Sequence, residues 1–195
     1  MPAGGEGELT VTVGMKVSPE PEQEEAILDL MRRYRDALNY SVRAIITTKA
    51  LSLSKAHRLL YKELRERYGL SARVAQDCYR EAIAIAKSWL RKPKRGDTPT
   101  VRRLSMWLTH ELGYRVKGGY VELAVGYRLR IIGWDRRYDD FPNREARLVF
   151  REGEFTLYVY KRVPRPALRS FYISRRSPRS SSRQSRPWSF EAGAL

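Results

Sequence analysis

The stretch LTVTVGMKV, residues 9–17, decides the fold because it is an isolated strand that needs a partner. Apolar and polar residues alternate along it and several are β-branched, which is typical of a half-buried β-strand. SPEP at 18–21 interrupts the pattern, and the next strand-like segments begin only near Pro99. One strand is not stable alone, so we expect residues 9–17 to pair with those later segments. The sequence therefore predicts an α+β fold, in which a helical bundle is inserted into a small antiparallel β-barrel.

Three helical patterns fill the insertion. Apolar residues three and four positions apart predict a long amphipathic helix over about 21–48. A second helix is predicted to begin near residue 52, and Gly69 is its C-terminal stop. Ser71 is the N-cap of a third helix, whose apolar stripe includes Cys78. We interpret Cys78 as a packing residue and not as a nucleophile.

The segment from about Pro99 to Val163 is strand-like throughout. The clearest hairpin joins residues 146–150 to 155–163 through REGE, in which Gly153 supplies a positive φ. Three domains follow from this organisation. Residues 1–18 and 98–164 form the barrel, 19–97 form the helical insertion, and 165–195 form a C-terminal tail.

The charge of the chain indicates a polyanionic partner. It has 38 Lys and Arg residues against 22 Asp and Glu, which gives a net charge of +16. Because such a charge opposes compaction unless a polyanion neutralises it, we expect nucleic acid as the partner. A merely solvated basic surface is the alternative. No basic amphipathic helix with a bulky apolar face stands out, and no apolar run approaches membrane-spanning length, so we expect no membrane partner and a cytoplasmic location.

No catalytic or metal-binding set emerges from residue spacing. Cys78 is the only cysteine, and the only two histidines, His57 and His110, are far apart in the sequence. A zinc site or a Cys/His nucleophile would need further ligands or bases that cannot be placed. The expectation is a protein without a cofactor, a metal or an enzymatic activity.

Basic side chains are instead interleaved with aromatic ones, a pattern that suits a surface holding phosphates and stacking unpaired bases. The aromatic residues are Tyr34, Tyr40, Tyr61, Trp89, Trp107, Tyr114, Tyr127 and Trp134. For Tyr34 and Trp89 core packing is the favoured interpretation. The basic candidates lie on the third helix, in the linker after it and on a later strand: Arg80, Lys87, Arg91, Lys92, Lys94, Arg95, Arg128 and Arg130.

Short motifs in a fixed order carry a resemblance to a known family. They are PEQ at 21–23, ALNY at 37–40, LY at 60–61, YGL at 68–70, AKS at 86–88 and EARLVF at 145–150. Over about residues 8–163 the chain resembles the N-terminal part of TnpB/OrfB. These are the RNA-guided nucleases of insertion sequences, which are related to type V CRISPR effectors.

The resemblance implies separate roles for the barrel and the helical insertion. In that family the barrel is a wedge domain and the helical insertion is a recognition domain. Together they hold a guide RNA and read a short motif beside the DNA target. The motif-reading positions that it implies lie at two helix starts and in the strand after the linker: Ser54, Lys55, Arg73, Gln76, Thr109 and His110. The amide of Gln76 suits an adenine edge, and Arg73 suits guanine or a phosphate.

The family chain would continue into a RuvC-like nuclease that carries catalytic acids and a zinc ribbon. After Val163 this chain has an Arg/Ser-rich segment instead, and residues 165–195 hold seven arginines, eight serines and one acid. Such a composition predicts a disordered tail. We therefore expect a protein that binds guide-type RNA and target-flanking DNA without cleaving. Two alternatives stay open: an inert product of a degenerate gene, and a basic DNA-binding repressor.

Overall fold

The computed structural model describes residues 7–94 and 96–164. Within these, Leu9–Val163 form one large compact unit. The tail predicted to be disordered and the candidate Arg95 lie outside the described residues. The large unit contains every helix and almost every strand residue described below.

Three helices follow the first strand, and their ends match the predicted signals. They are α1 (Pro21–Thr48), α2 (Leu53–Glu66) and α3 (Ala72–Leu90). Pro21 occupies the first turn of α1, where its missing N–H is tolerated. Ser52 and Ser71 cap α2 and α3, and each side-chain oxygen accepts a backbone N–H bond at 3.4 Å.

Seven strands form one antiparallel sheet that curls into a nearly closed barrel. The strands are β1 (Glu8–Pro19), β2 (Leu104–Leu108), β3 (Tyr114–Lys117), β4 (Tyr120–Leu123), β5 (Arg128–Gly133), β6 (Asn143–Arg151) and β7 (Glu154–Pro164). Their order in the sheet is β2-β6-β7-β1-β5-β4-β3. The first strand therefore lies between two strands that follow the helices, which confirms the predicted α+β barrel with a helical insertion.

Helices and sheet share one hydrophobic core. Fully buried residues of that core come from α1 (Met31), α2 (Leu60), α3 (Ala82), β5 (Leu129) and β6 (Leu148). Burial of a Leu or Met side chain supplies about 1.5–3 kcal/mol relative to exposure. The insertion is consequently held against the barrel by packing as well as by its two chain connections.

A side chain of α1 fixes the point where the chain returns to the sheet. The amide of Asn39 accepts a bond from the backbone N–H of Val101 at 2.7 Å and donates one to its carbonyl at 2.9 Å. Both backbone groups of Val101 are thereby satisfied before β2 begins. This pair of bonds sets the position of β2 beside α1.

Gly113 lies where the chain turns closely against itself, and we expect its replacement by alanine to lower the free energy of unfolding by about 1–3 kcal/mol. A Cβ atom there would stand 2.8 Å from the backbone N and O of Thr109 and 3.0 Å from Oδ2 of Asp77. Urea unfolding of Gly113→Ala measures the loss. Gly96→Ala is the matched control, because nothing lies within 4 Å of the added atom. Equal effects from the two substitutions would contradict the steric explanation.

Candidate nucleic-acid interface

Three neighbouring strands bring two aromatic rings to either side of an arginine. In the register of the sheet, Trp107 of β2 faces Arg147 of β6, and Arg147 faces Tyr158 of β7. Side chains of a strand alternate between faces, and the residues flanking Arg147, Ala146 and Leu148, are buried in the core. The three residues therefore stand on the face of the sheet opposite to the core.

A fourth residue completes this arrangement, which we term the aromatic–arginine row: Trp107, Arg147, Tyr158 and Tyr160. The rings of Trp107 and Tyr160 stack with centroids 5.7 Å apart and planes inclined by 29°. The guanidinium carbon of Arg147 lies 5.4 Å from the Trp107 centroid, within the range of a cation–π contact. The row combines positive charge with ring surface, as a binder of unpaired bases requires.

A buried network beneath the row holds Arg147 in place. Its Nη1 lies 2.7 Å from Oε1 of Glu81 on α3 and donates to Oγ of Ser105 at 3.2 Å. The hydroxyl of Tyr34 donates to Oε2 of the same Glu81 at 2.8 Å. Both carboxylate oxygens of Glu81 are thus engaged, although its side chain is only 5% exposed. The network joins α1, α3 and the sheet.

Burial and the charge of Glu81 shift the pKa of Arg147 in opposite directions and the pKa of Tyr34 in the same direction. Burial alone lowers the pKa of Arg147, but the adjacent Glu81 outweighs it and raises that pKa above its usual value. Burial raises the pKa of Tyr34 well above its usual value, and the Glu81 carboxylate adds to the effect. Arg147 is therefore a permanent cation and Tyr34 a permanent hydrogen-bond donor.

A cleft on one side of the row, which we term the tryptophan cleft, separates α3 from β2 and β6. Its volume is 530 Å³, within the range of small-ligand sites. Trp89, Ile85 and Pro99 give it apolar walls, while Arg80 and Lys92 add positive charge. Its lining consists of Arg80, Glu81, Ala84, Ile85, Ser88, Trp89, Lys92, Pro99, Trp107, Thr109, Glu145 and Arg147.

A second depression, the tyrosine groove, lies on the other side of the row and has a volume of 700 Å³. Arg147 lines both depressions, so they meet at the row. The groove is lined by Thr12, Arg103, Arg147, Val149, Phe150, Arg151, Tyr158 and Tyr160. Gly14 of β1 lies next to Tyr158, because a Cβ atom added at this glycine would stand 3.5 Å from the Tyr158 ring. The two depressions therefore share Arg147 as a common wall.

A third depression, the helix-start pocket, gathers several predicted positions. Ser54, Gln76 and Arg80 line it together with Leu53, His57, Arg58 and Tyr79, and its volume is 410 Å³. His57 contacts the Tyr79 hydroxyl at 3.1 Å and stacks on Tyr61, so it packs the two helices together. Lys55 is exposed on the first turn of α2. The structure therefore brings three of the predicted residues, Ser54, Gln76 and Arg80, into one pocket.

Arg73 and Thr109 do not have the free side chains that the sequence predicted. Arg73 Nη2 pairs with Oδ1 of Asp77 at 3.0 Å, and the Asp77 side chain has no exposed surface. Thr109 donates to Asp77 through its hydroxyl at 2.7 Å and through its backbone N–H at 3.2 Å. Because a buried carboxylate needs such partners, these two residues serve the packing of α3 against the end of β2.

The placement of Thr109 and His110 in a strand was also wrong. Strand β2 ends at Leu108, and the two residues belong to the turn that follows. Their backbone groups are used by the turn, since the carbonyl of Thr109 accepts from Gly113 N at 2.7 Å. His110 Nε2 lies 3.3 Å from a carboxylate oxygen of Glu111. The turn chemistry around Gly113, rather than strand pairing, dictates the local conformation.

The remaining basic candidates form two separate groups. Lys87, Arg91, Lys92 and Lys94 are exposed at the end of α3 and after it, and Lys92 lines the tryptophan cleft. Arg128 and Arg130 are exposed on β5, which the sheet order separates from β2 and β6. Arg128 lies over the Tyr120 ring at 4.4 Å and near Glu122 at 3.8 Å. The β5 pair consequently belongs to a different surface from the aromatic–arginine row.

Sequence reasoning missed most of the row and its supports. It did not select Arg147, Tyr158, Tyr160, Glu81 or Glu145, although it named Trp107 among the interleaved aromatics. The predicted 146–163 hairpin could have paired Arg147 with Tyr158, because its short turn fixes the register. Trp89, interpreted as a core residue, is half-buried in the wall of the tryptophan cleft, whereas Tyr34 is fully buried as expected.

Three further observations bear on the class of the protein. Across residues 7–94 and 96–164, no three His, Cys, Asp or Glu side chains are grouped so that they could hold a metal ion. No helix in the same part of the chain is both long enough and apolar enough to cross a membrane. No protein-family model matches the chain.

Proposed function

We propose that this chain is a nucleic-acid-binding module of the TnpB-like kind, which binds guide-type RNA and target-flanking DNA without cleaving them. One observation carries the proposal: the aromatic–arginine row lies between two depressions in a chain of net charge +16. Exposed aromatic rings stack on unpaired bases, and cations beside them hold phosphates. The motif order described above supplies the TnpB-like part of the proposal.

Each depression has a role in this proposal. Single-stranded RNA lies across the tryptophan cleft and the tyrosine groove, where Lys92 and Arg151 are exposed on opposite sides of the row. Target-flanking DNA contacts the helix-start pocket, where the Gln76 amide can read a base edge and Arg80 can hold a phosphate. Salt dependence follows from the phosphate contacts, because each contact releases counterions.

Tyr158 provides the test of the stacking role. Tyr158→Ala is expected to weaken binding of an unstructured RNA about tenfold, since each base–aromatic stack contributes about 1–3 kcal/mol. Tyr158→Phe is the matched control and keeps the affinity of the parent protein, because it retains the ring. Fluorescence anisotropy with a labelled oligonucleotide measures both. Equal losses from the two variants would show that the ring does not stack on RNA.

The same titrations examine the other parts of the proposal. The logarithm of the RNA-binding constant falls linearly with the logarithm of the salt concentration, with a slope of about −4 to −8. Lys92→Ala lowers the magnitude of this slope by about one. Lys62→Ala, which removes an exposed charge on α2 away from the row, leaves the slope unchanged.

RNA and DNA stay intact when magnesium or manganese is added. Cleavage by a rigorously purified sample would overturn the non-cleaving part, and binding of duplex DNA without RNA would favour a repressor.

A further inference from the structure

The tryptophan cleft contains two carboxylates among its cations, and they differ in how they are used. Glu81 is buried and is committed to Tyr34 and Arg147. Glu145 is exposed at the cleft wall, and among the residues that the structure describes it has no hydrogen bond or ion pair. An acid at a site for polyanions repels phosphate, so it needs a different explanation from the cations around it.

The position of Glu145 follows from the strand that carries it. Glu145 and Arg147 are two residues apart on β6, so both point away from the core that receives Ala146. The pairing of β6 with β7 is irregular between Asn143 and Ala146, a stretch that includes Glu145. Irregularities of this kind re-aim a side chain next to a site. The Glu145 carboxylate thereby joins the lining of the cleft that Trp89 and Trp107 also line.

The chemistry of the four bases decides what this carboxylate can accept. Guanine presents two adjacent donors on its Watson–Crick edge, N1–H and the 2-amino group, which match the two oxygens of a carboxylate. Adenine and cytosine present one amino group beside a ring acceptor, and uracil presents one N–H between two carbonyls. In those three bases an acceptor faces the carboxylate and repels it. Only guanine pairs with Glu145 through two bonds.

We propose that the tryptophan cleft selects an unpaired guanine, whose N1–H and 2-amino group donate to the carboxylate of Glu145. This inference rests on the proposed function and names the base that the same site prefers. The guanine ring stacks against the tryptophan side chains, while Lys92 at the cleft holds an adjacent phosphate. The volume of 530 Å³ accommodates one nucleotide.

Four short RNAs that differ only in the central base test the selection: UUGUU, UUAUU, UUCUU and UUUUU. We expect the guanine oligonucleotide to bind about tenfold more tightly than the other three, as a good bidentate pair discriminates between bases to this extent. An inosine at the centre, which keeps N1–H but lacks the 2-amino group, is expected to lose most of that preference. Anisotropy titration at low salt measures each affinity.

Glu145→Ala is expected to reduce the guanine preference to less than about twofold, without weakening the binding of UUUUU. Glu66→Ala is the matched control, because Glu66 is an exposed acid at the end of α2 and does not line the cleft. It keeps the full preference. Urea unfolding confirms that both variants are folded, as expected for exposed side chains.

The outcomes separate the inference from the function on which it rests. Equal affinities for the four oligonucleotides, or a preference that survives Glu145→Ala, would overturn the guanine assignment and leave RNA binding in place. Failure of every oligonucleotide to bind at low salt would overturn both. A preference that inosine and Glu145→Ala both abolish supports the two-bond pairing.

Discussion

Arg147→Met is expected to lower the free energy of unfolding by about 3–5 kcal/mol, the cost of breaking a buried ion pair by removing one partner. The substitution leaves the Glu81 carboxylate, which is 5% exposed, with the Tyr34 hydroxyl as a remaining donor. One neutral hydrogen bond cannot replace the guanidinium at 2.7 Å. Urea unfolding followed by tryptophan fluorescence measures the loss.

The double variant Glu81→Leu/Arg147→Met distinguishes a lost charge pair from lost packing. If the cost comes from the uncompensated carboxylate, removing both charges restores most of the stability, because buried pairs are replaceable by apolar side chains of similar size. Arg65→Met, on the exposed side of α2, is the surface control and changes the stability by less than about 0.5 kcal/mol. Additive losses in the double variant would contradict the electrostatic explanation.

This network links the stability of the fold to the geometry of the candidate site. Arg147 contacts the Trp107 ring on the surface and Glu81 underneath, so the same side chain belongs to the buried network and lines both depressions. A folded double variant without the Arg147 charge therefore isolates the contribution of that cation to RNA binding. The site is pre-formed because its central cation is fixed by a buried partner.

The parts of the fold that the sequence predicted best have local causes. The bounds of α1 follow from a long apolar periodicity and from Pro21 at its first turn. The β6–β7 turn follows from Gly153, whose φ of 81° suits a residue without a Cβ atom. The pairing of β1 was predictable for a different reason, since an isolated strand needs partners and the chain offered strands only after the helices.

The parts that escaped prediction depend on contacts between distant segments. Trp107 meets Arg147 through a strand pairing that spans the turn of Gly113 and three intervening strands. The alternation of Leu104, Met106 and Leu108 predicts a strand, but it does not fix which later strand is the partner or in what register. Asp77 interrupts the apolar stripe of α3, and a buried acid is identified only once its partners are placed around it. The candidate site therefore became visible in the tertiary structure.

Asp77→Ala is expected to destabilise the fold by about 3 kcal/mol, because it leaves a guanidinium and a backbone N–H without their buried acceptor. Arg73 Nη2 lies 3.0 Å from this carboxylate, and the Thr109 N–H lies 3.2 Å from it. Asp77→Asn retains one acceptor oxygen and is expected to cost less. Gln76→Ala, one position earlier on a half-buried side chain, is the matched control and has little effect on stability.

The same series decides what Arg73 contributes. If Arg73 serves the buried carboxylate, Arg73→Met destabilises the fold as Asp77→Ala does, and the folded variant keeps the sequence preference of the parent for duplex DNA. Gln76→Ala, by contrast, relaxes that preference at one base pair by about 1–3 kcal/mol. A stable Arg73→Met variant that binds duplex DNA with altered base preference would reverse the assignment. The 17% exposure of the Arg73 side chain and its bond to Asp77 favour the structural role.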